Sequence, residues 1–261
     1  MSKDIKEYWN ERASSSDGKK ATTDDIWLRE LEIRIMVESL RQLKLPHKAS
    51  VLDAGCGDGY STIKIAEEFP EISFHGIDFS ENMIKAASSL LEKKQIKNVT
   101  FSVCSVLDLE KIFEVKFDAV MTDRCLINLN KPEMQKEALS SIAAVTKDGG
   151  HYIGIENFNE GQTEMNNARK KIGLPEIPIR WHNLFFSEND FKKMIADKFD
   201  LVWLKDFSSS YYFATRVVYS KMCQMKKETP DYNHEIHQLS ISLPNFGGFS
   251  PIKCFVLQKR G

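Results

Sequence analysis

From residue 50 onward, short apolar strands alternate with helical segments, and this alternation limits the possible folds more than any other feature. The strand-like runs are SVLDAG, SFHGID, NVTFSVC, FDAVMT, HYIGIE, LVWLKDF and PIKCFVLQK. Apolar spacing and capping residues predict helices over 24–44, 60–69, 80–94, 131–146, 187–199, 208–225 and 234–241. Apolar strands that alternate with helices are typical of a parallel sheet covered on both faces. The sequence therefore predicts an α/β, Rossmann-like, doubly wound fold.

Several stretches lie outside this alternation of strands and helices, and they define the predicted domain organisation. We expect residues 1–46 to form an N-terminal helical cap or lid, and residues 47–261 to form the main domain. Insertions into that domain are predicted at about 157–186 and 208–249. Ligands of open α/β sheets bind outside the carboxyl ends of the strands. The insertions are therefore expected to build a substrate pocket and its lid.

Charge balance and cysteine usage argue against several classes of protein. The chain has 36 basic and 37 acidic side chains, which disfavours a generic nucleic-acid binder. Its five cysteines are scattered and form no C-x-x-C pair, so neither a disulfide framework nor a metal site is expected. No apolar run approaches the roughly 18 residues that span a bilayer, and the N-terminus has no signal-like apolar region. We expect a cytoplasmic protein without membrane insertion.

The glycine-rich segment after the first strand is the most specific functional motif. Gly55, Gly57 and Gly59 alternate in LDAGCGDG, an arrangement that permits a tight turn and close approach of a ligand to the backbone. A dinucleotide fingerprint would require glycine where Tyr60 stands, and no G-K-[ST] sequence marks a phosphate-binding P-loop. The motif therefore indicates a different ligand.

Acidic residues around the glycine-rich segment limit the kind of ligand that it can bind. Asp53 and Asp58 flank the loop, so they would repel a pyrophosphate and attract a cation. Asp78 lies nineteen residues beyond Gly59 at the end of the second strand, where an acid can bind ribose hydroxyls. A positively charged ligand that carries a ribose is therefore expected, and S-adenosylmethionine has both features.

LDAGCGDG followed by GIDFS resembles the class I S-adenosylmethionine-dependent methyltransferases, over about residues 48–156. The resemblance implies a seven-stranded, mostly parallel sheet whose last strand is antiparallel, and S-adenosylmethionine as the cofactor. It also implies that the three glycines pass beneath the methionine and ribose parts of the cofactor. Asp78 and the adjacent Phe79 would bind at the ribose, and Asp53 would order the loop or hold the cofactor ammonium.

Two further strand ends supply candidates for cofactor contact. In the resembling family the third strand commonly ends in an acid that meets the adenine amine, and here Ser105 or Asp108 would take that role. The fourth strand runs into Asp123 and Arg124, and Arg124 could hold a carboxylate of the cofactor or of the substrate. An internal pair between Asp123 and Arg124 is the alternative.

Candidates for catalysis follow from the chemistry of methyl transfer. The nucleophile must be aligned with the methyl carbon and the sulfur, and an oxygen nucleophile usually needs a general base. His182 is the leading base, because its ordinary pKa of about 6.5 lies near working pH; the alternative is a structural histidine that holds a loop. Glu156 is the second candidate, as a base or as a partner for a substrate amine.

Substrate-binding candidates come from both insertions. They are Arg169, Arg180, Trp181 and Asn183 in the first insertion, and Tyr212 and Arg216 in the second. The polar and aromatic residues of R-W-H-N are costly to bury without a purpose. Arg216, if it faces the pocket, suits an anionic or sugar substrate. Residues 17–23 are expected to act as a hinge or gate.

These residues predict S-adenosylmethionine-dependent methyl transfer to a hydroxyl or amine of a small polar molecule. A sugar or a surface-glycan precursor would be such an acceptor. An RNA or protein methyltransferase is the first alternative, which the balanced charge does not favour. An NAD-dependent oxidoreductase is disfavoured by Tyr60 and the acidic loop. A cofactor-binding protein without activity is disfavoured by the intact glycines. The oligomeric state is left open.

Overall fold

The computed structural model describes residues 3–15 and 22–261, and its centre is one seven-stranded sheet. The strands are β1 (Ser50–Ala54), β2 (Ser73–Asp78), β3 (Val99–Val103), β4 (Phe117–Asp123), β5 (Thr146–Asn157), β6 (Phe199–Asp206) and β7 (Ile252–Lys259). Their order is β3-β2-β1-β4-β5-β7-β6, and β7 runs antiparallel to both of its neighbours. The predicted fold class, with an antiparallel last strand, is confirmed.

Helices surround the sheet and fill its connections. They are α1 (Lys3–Ser15), α2 (Ile26–Leu43), α3 (Tyr60–Glu67), α4 (Glu81–Lys94), α5 (Leu109–Ile112), α6 (Pro132–Val145), α7 (Asn159–Lys171), α8 (Glu188–Ile195), α9 (Ser209–Tyr212), α10 (Ser220–Lys226) and α11 (Glu235–Ser240). A π-helical turn joins α9 to α10, and a 3-10 turn at Leu126–Asn128 follows β4. Among the described residues, no helix has both the length and the apolar character that a membrane crossing requires.

Two apolar layers hold these helices on opposite faces of the sheet. Adjacent residues of β1 belong to different layers, because side chains alternate along a strand. Val51 packs in the layer that contains Leu40 of α2. Leu52 packs in the other layer, together with Leu139 of α6 and Phe191 of α8. This two-sided burial explains why the strands are apolar almost throughout.

Local differences from the sequence predictions have identifiable causes. The cap of α2 is Asp25 rather than Asp24, and its carboxylate accepts a hydrogen bond from the Leu28 amide at 3.1 Å. The strand predicted to begin after Gly150 begins at Thr146, which already pairs with β4. The helix predicted over 208–225 contains the π-helical turn. Residues 17–21 of the predicted gate lie outside the described residues.

Two long connections and the N-terminal helices gather at the carboxyl edge of the sheet. The β5–β6 connection (158–198) carries α7, an extended loop and α8, and the β6–β7 connection (207–251) carries α9, the π-helical turn, α10 and α11. Residues of both connections and of the α2 N-terminus line one cavity beside the strand ends. The topology thus brings distant parts of the chain to the carboxyl edge of the sheet, where a ligand is expected to bind.

One face of α2 carries buried charges rather than apolar side chains. Asp25, Arg29 and Glu32 are each no more than 4% exposed. Their spacing of four and three residues places them along one side of the helix. Arg29 donates hydrogen bonds to both carboxylate oxygens of Asp58, at 2.6 and 3.2 Å. This ion pair fixes α2 against the glycine-rich loop.

Arg29→Met should lower the free energy of unfolding by roughly 3–5 kcal/mol, because Asp58 would remain buried without its partner. Urea titration at pH 7 measures the change, and adding Asp58→Asn should recover part of the loss. Arg41→Met is a matched control, since the Arg41–Glu68 pair is exposed and worth roughly 0–1 kcal/mol. Equal losses in the two single variants would contradict the role given to the buried pair.

Candidate active site

A cavity of about 270 Å³ opens at the carboxyl ends of the central strands. Residues at or after the strand ends line it: Asp53, Gly55, Gly57, Asp78, Phe79, Asp123, Arg124, Asn128 and Asn157. Its walls include Trp9, Thr22, Leu28, Ile177, Arg180, His182, Asn183, Tyr212, Arg216 and Tyr232. The cavity therefore joins the glycine-rich loop to the N-terminal helices and to both long connections.

Asp78 ties the end of β2 to the glycine-rich loop. Its two oxygens accept hydrogen bonds from the amides of Gly57 and Ser80, at 3.1 and 2.8 Å. Burial raises the pKa of Asp78 to about 6, although the two amide donors oppose this rise. Gly57 has a φ of +54°, and a Cβ there would lie 2.6 Å from Cγ2 of Thr22. Both the backbone conformation and the close approach of Thr22 therefore favour glycine.

The two acids that flank the loop differ in their surroundings. Asp58 is held by Arg29, so its charge is neutralised within the protein. Asp53 lines the cavity and accepts a hydrogen bond from the Thr62 hydroxyl at 2.6 Å. Burial raises the pKa of Asp53 to about 7. Of the two acids, Asp53 is therefore the one available to a cationic ligand.

Arg124 lines the cavity, but its guanidinium is paired inside the protein. Its Nε lies 2.9 Å from Oε1 of Glu32 and 3.7 Å from Oδ1 of Asp123. Arg124 has a φ of +49°, and its backbone carbonyl accepts a hydrogen bond from the side-chain nitrogen of Asn128 at 2.8 Å. The geometry favours the internal pair over a carboxylate clamp, because a ligand carboxylate would compete with two buried acids.

His182 lies in the cavity wall beneath α1 and is 3% exposed. Its ring stacks on Tyr8 at a centroid distance of 4.6 Å, while Trp9 and Trp181 meet it edge-on at 5.9 and 5.2 Å. Burial lowers the pKa of His182, and Arg180 lowers it further. The imidazole is therefore a neutral base at pH 7, which its catalytic candidacy requires.

The π-helical turn in the β6–β7 connection presents Arg216 to the cavity. The guanidinium pairs with Asp25 and lies 4.9 and 5.3 Å from the ring centres of Tyr232 and Tyr212. The Tyr211 hydroxyl donates to the same carboxylate at 2.5 Å. Although burial raises it, the pKa of Asp25 is held below its usual value by the guanidinium. The charge of Arg216 is thus compensated within the cavity wall.

Comparison with known proteins identifies the family. The N-methyltransferase NodS from Bradyrhizobium japonicum, solved with S-adenosyl-L-homocysteine, is 12% identical, with a TM-score of 0.62 over 98% of each chain. Magnesium protoporphyrin IX methyltransferase from Synechocystis is 18% identical, with a TM-score of 0.61 over 98% of this chain and 94% of that one. These likenesses show the fold. A family model described as a methyltransferase domain matches residues 46–176, half of the chain. The chain belongs to the class I S-adenosylmethionine-dependent methyltransferases.

Similarity to curated proteins covers less of the methyltransferase than the similarity to these two structures. EEF1A lysine methyltransferase 2 from Homo sapiens is 28% identical over 169 residues, which are 62% of this chain and 71% of the relative. The family match ends before the loop that contains His182 and before the whole β6–β7 connection. Family membership therefore describes the cofactor side of the methyltransferase better than its acceptor side.

Glu156, the second predicted catalytic residue of the methyltransferase, does not line the cavity and is fully buried. Its Oε1 accepts hydrogen bonds from the Thr122 hydroxyl at 3.1 Å and the Leu126 amide at 2.9 Å, and its Oε2 accepts from the Ile127 amide at 3.2 Å. A carboxylate enclosed in this way cannot reach a ligand. The predicted catalytic role is wrong, and Glu156 instead holds the 3-10 turn after β4.

Ser105 and Arg169 are also absent from the cavity lining. The Ser105 hydroxyl accepts a hydrogen bond from the Leu107 amide at 3.2 Å and closes the turn after β3. Arg169 donates to the carbonyls of Pro175 and Arg216, and so braces the loop of the β5–β6 connection against the π-helical turn. Both residues thus bond to the chain itself in this structure, and the adenine contact of Ser105 and the substrate contact of Arg169 stay predictions.

Two more predicted residues lie beside the cavity rather than in its lining. Trp181 is 65% exposed and packs against Tyr8 and His182 from outside. Gly59 is the N-cap of α3, where a Cβ would lie 2.7 Å from Ala87. Gly59 thus permits close packing of the loop against α4, and its contact with the cofactor stays a prediction.

Sequence reasoning missed Asn128, Asn157 and Tyr232, which all line the cavity. Asn157 could have been found, because neighbouring side chains on a strand point to opposite faces. With Glu156 facing the interior, Asn157 must face the other way. Tyr232 had no local signal, since it reaches the cavity only through the folding of the β6–β7 connection.

Glu156→Gln should alter how stability depends on pH. Burial raises the pKa of Glu156 to about 8, far above its usual 4.5, so between these values the folded protein holds a proton that the unfolded chain has lost. This contribution to stability is therefore lost progressively between these two values and is gone once pH has risen through 8. We expect the free energy of unfolding to fall from about pH 5 to 8, to level off above that, and to fall less in the variant.

Urea titrations across this range measure both slopes. Glu133→Gln, at an exposed position on α6, is the control and should keep the wild-type slope. If Glu156→Gln also kept that slope, the carboxyl would not titrate where its burial predicts.

Proposed function

We propose that the cavity binds S-adenosylmethionine along the glycine-rich loop and serves methyl transfer to a hydroxyl or amine of a small polar molecule. The bound cofactor supplies a methyl group on a positively charged sulfur. The loop suits such a ligand, because Gly55 and Gly57 border the cavity without side chains, and a Cβ at Gly55 would have no room, since it would lie 2.5 Å from Sγ of Cys125. Asp53 would face the positive charge, and Asp78 with Phe79 would border the ribose.

Asp78 can still bind ribose hydroxyls, although it already accepts hydrogen bonds from two backbone amides. Each carboxylate oxygen offers two lone pairs, and each oxygen of Asp78 has one donor from the chain. Ribose hydroxyls can therefore donate to the remaining positions. The existing bonds hold the carboxylate in place before the cofactor arrives, which reduces the ordering cost of binding.

His182 is the general base in this proposal. Its ring is buried in the wall, neutral at pH 7 and held by the Tyr8 stack. A positioned imidazole can take the proton from an acceptor hydroxyl, or from an ammonium before transfer. Asn183 and Arg180 lie beside it in the lining and would contact the acceptor. Tyr212 would border the same space from the β6–β7 connection.

The proposal of a small-molecule acceptor rests on the enclosure of the cavity. Three separate segments that the family match does not cover close over the strand ends: the N-terminal helices, the loop at 177–185 and the β6–β7 connection. A walled cavity with a few polar groups is typical of a site for small molecules. A macromolecular acceptor would need a more open face.

Protein lysine methylation is the second candidate, and the human relative named for EEF1A lysine methylation favours it. A lysine side chain is slender enough to enter a walled cavity from outside. Release of S-adenosylhomocysteine separates the candidates when purified EEF1A is compared with a panel of small amines and polyols. Turnover with EEF1A alone would replace the small-molecule proposal, whereas turnover with panel members alone would support it.

Asp78→Asn should weaken S-adenosylmethionine binding about 10- to 100-fold, because hydrogen bonds to a charged group are lost. Isothermal titration calorimetry measures the dissociation constant. Asp200→Asn changes an exposed acid on β6 and should leave that constant unchanged. Equal affinities for the two variants would remove Asp78 from the proposed cofactor site.

His182→Phe should lower kcat about 100-fold or more while leaving the cofactor dissociation constant unchanged. Phenylalanine preserves the stack on Tyr8, so the variant separates proton transfer from packing. Because the pKa of His182 is lowered, wild-type rates should be level at pH 7 and fall only on the acid side of 6.5. Loss of thermal stability with normal kcat would instead assign His182 a structural role.

A further inference from the structure

Five buried polar atoms of cavity-lining residues lack a hydrogen-bond partner within the described residues; two of them, Oδ1 of Asp123 and Nε of Arg124, face each other in an ion pair, and three have no partner of any kind. Within residues 3–15 and 22–261, no partner exists for Oδ1 of Asn128, Oδ1 of Asn157 or Nδ1 of His182. The three residues are only 9%, 6% and 3% exposed, respectively. Buried polar groups are nearly always paired in native proteins, because an unpaired one costs folding free energy. Three in one cavity indicate that a ligand supplies the missing partners.

The missing partners are hydrogen-bond donors. The amide nitrogen of Asn128 already donates to the Arg124 carbonyl at 2.8 Å, which leaves the oxygen as the unpaired atom. The Asn157 atom is likewise a carbonyl oxygen. A neutral imidazole has one nitrogen with a free lone pair, and His182 is neutral when its pKa is lowered. The two asparagine oxygens are therefore acceptors, and Nδ1 of His182 is one in the tautomer that carries its proton on Nε2.

Three of the four arginines in the cavity lining pair with buried acids, and the fourth, Arg180, is exposed to solvent, which screens its charge. Asp58 pairs with the guanidinium of Arg29, Asp25 pairs with that of Arg216, and Glu32 with Asp123 pairs with that of Arg124. A carboxylate or phosphate would have to displace one of these acids to pair with a buried arginine. It would also meet the unpaired oxygens of the two asparagines, which repel an anion.

We infer that the methyl acceptor is a neutral or cationic molecule rich in N–H or O–H groups, an amine or a polyol, held by Asn128, Asn157 and His182. This inference rests on the proposed function and specifies its substrate class. The expectation that Arg216 selects an anionic acceptor is not supported, because Asp25 compensates its charge. Arg216 instead shapes the wall with the tyrosine rings around it.

Asn157→Leu tests the ligand role without knowledge of the acceptor. Because Oδ1 of Asn157 has no partner within the described residues, an apolar side chain of similar size should leave Tm unchanged or raise it. Asn98→Leu is the matched control, since Asn98 donates to three backbone carbonyls and its loss should lower Tm. The dissociation constant of S-adenosylhomocysteine should stay within about twofold of wild type in Asn157→Leu.

Matched probes test the chemistry of the acceptor. D-Glucosamine, D-glucose and D-glucuronate share one ring and differ in an amine, a hydroxyl and a carboxylate. Added to the S-adenosylhomocysteine complex, the first two should raise Tm and the third should not. Asn157→Leu should require about tenfold higher concentrations of the active probes, the loss expected for one hydrogen bond.

Several outcomes would overturn the inference. They are a rise in Tm with D-glucuronate alone, a fall in Tm for Asn157→Leu as large as for Asn98→Leu, and a tenfold loss of S-adenosylhomocysteine affinity in Asn157→Leu. The last result would assign the oxygen to the cofactor ammonium. Methylation of EEF1A without any small acceptor would instead end the proposed function while agreeing with the inference, because lysine is an amine.

Discussion

Three buried ion pairs along one face of α2 hold the carboxyl edge of the sheet together. They are Asp25–Arg216, Arg29–Asp58 and Glu32–Arg124. Each joins the helix to a different part of the chain: the β6–β7 connection, the glycine-rich loop and the turn after β4. Buried pairs add little net stability, because desolvation offsets their attraction, but breaking one leaves a costly buried charge. Their main effect here is to define the position of α2, on which both halves of the cavity depend.

This arrangement also decides which charges a ligand meets. The pairs neutralise Arg29, Arg124 and Arg216, whereas Asp53 and Asp78 keep carboxyls whose pKa values burial raises to about 7 and about 6. A positively charged ligand beside them would favour their ionised forms. Where no charge remains, Asn128 and Asn157 present neutral acceptors. The site is thus suited to a cationic cofactor.

Much of the fold followed from local patterns. The two-sided apolar strands predicted a sheet covered on both faces, and Asp78 at the end of β2 was correctly placed beside the glycine-rich loop. His182 was predicted at the pocket from its place in an insertion and from the cost of burying R-W-H-N, and it lines the cavity. Glu156 was misassigned because sequence shows only that an acid ends a strand. It does not show that the chain turns back and surrounds that acid with donors.

The sequence by itself determined the α/β class, the glycine-rich loop and the acid at the end of β2, because these depend on contacts between residues close in the chain or on strand periodicity. The apolar stripe of α2 was equally visible. Only the tertiary structure decided that Arg29 is buried against Asp58 and that Arg216 is neutralised by Asp25. Such pairs join residues far apart in the chain, and a charged side chain in a sequence looks the same whether water or a buried partner will solvate it. The acceptor side depends on that distinction, so it could be described only after folding had brought its residues together.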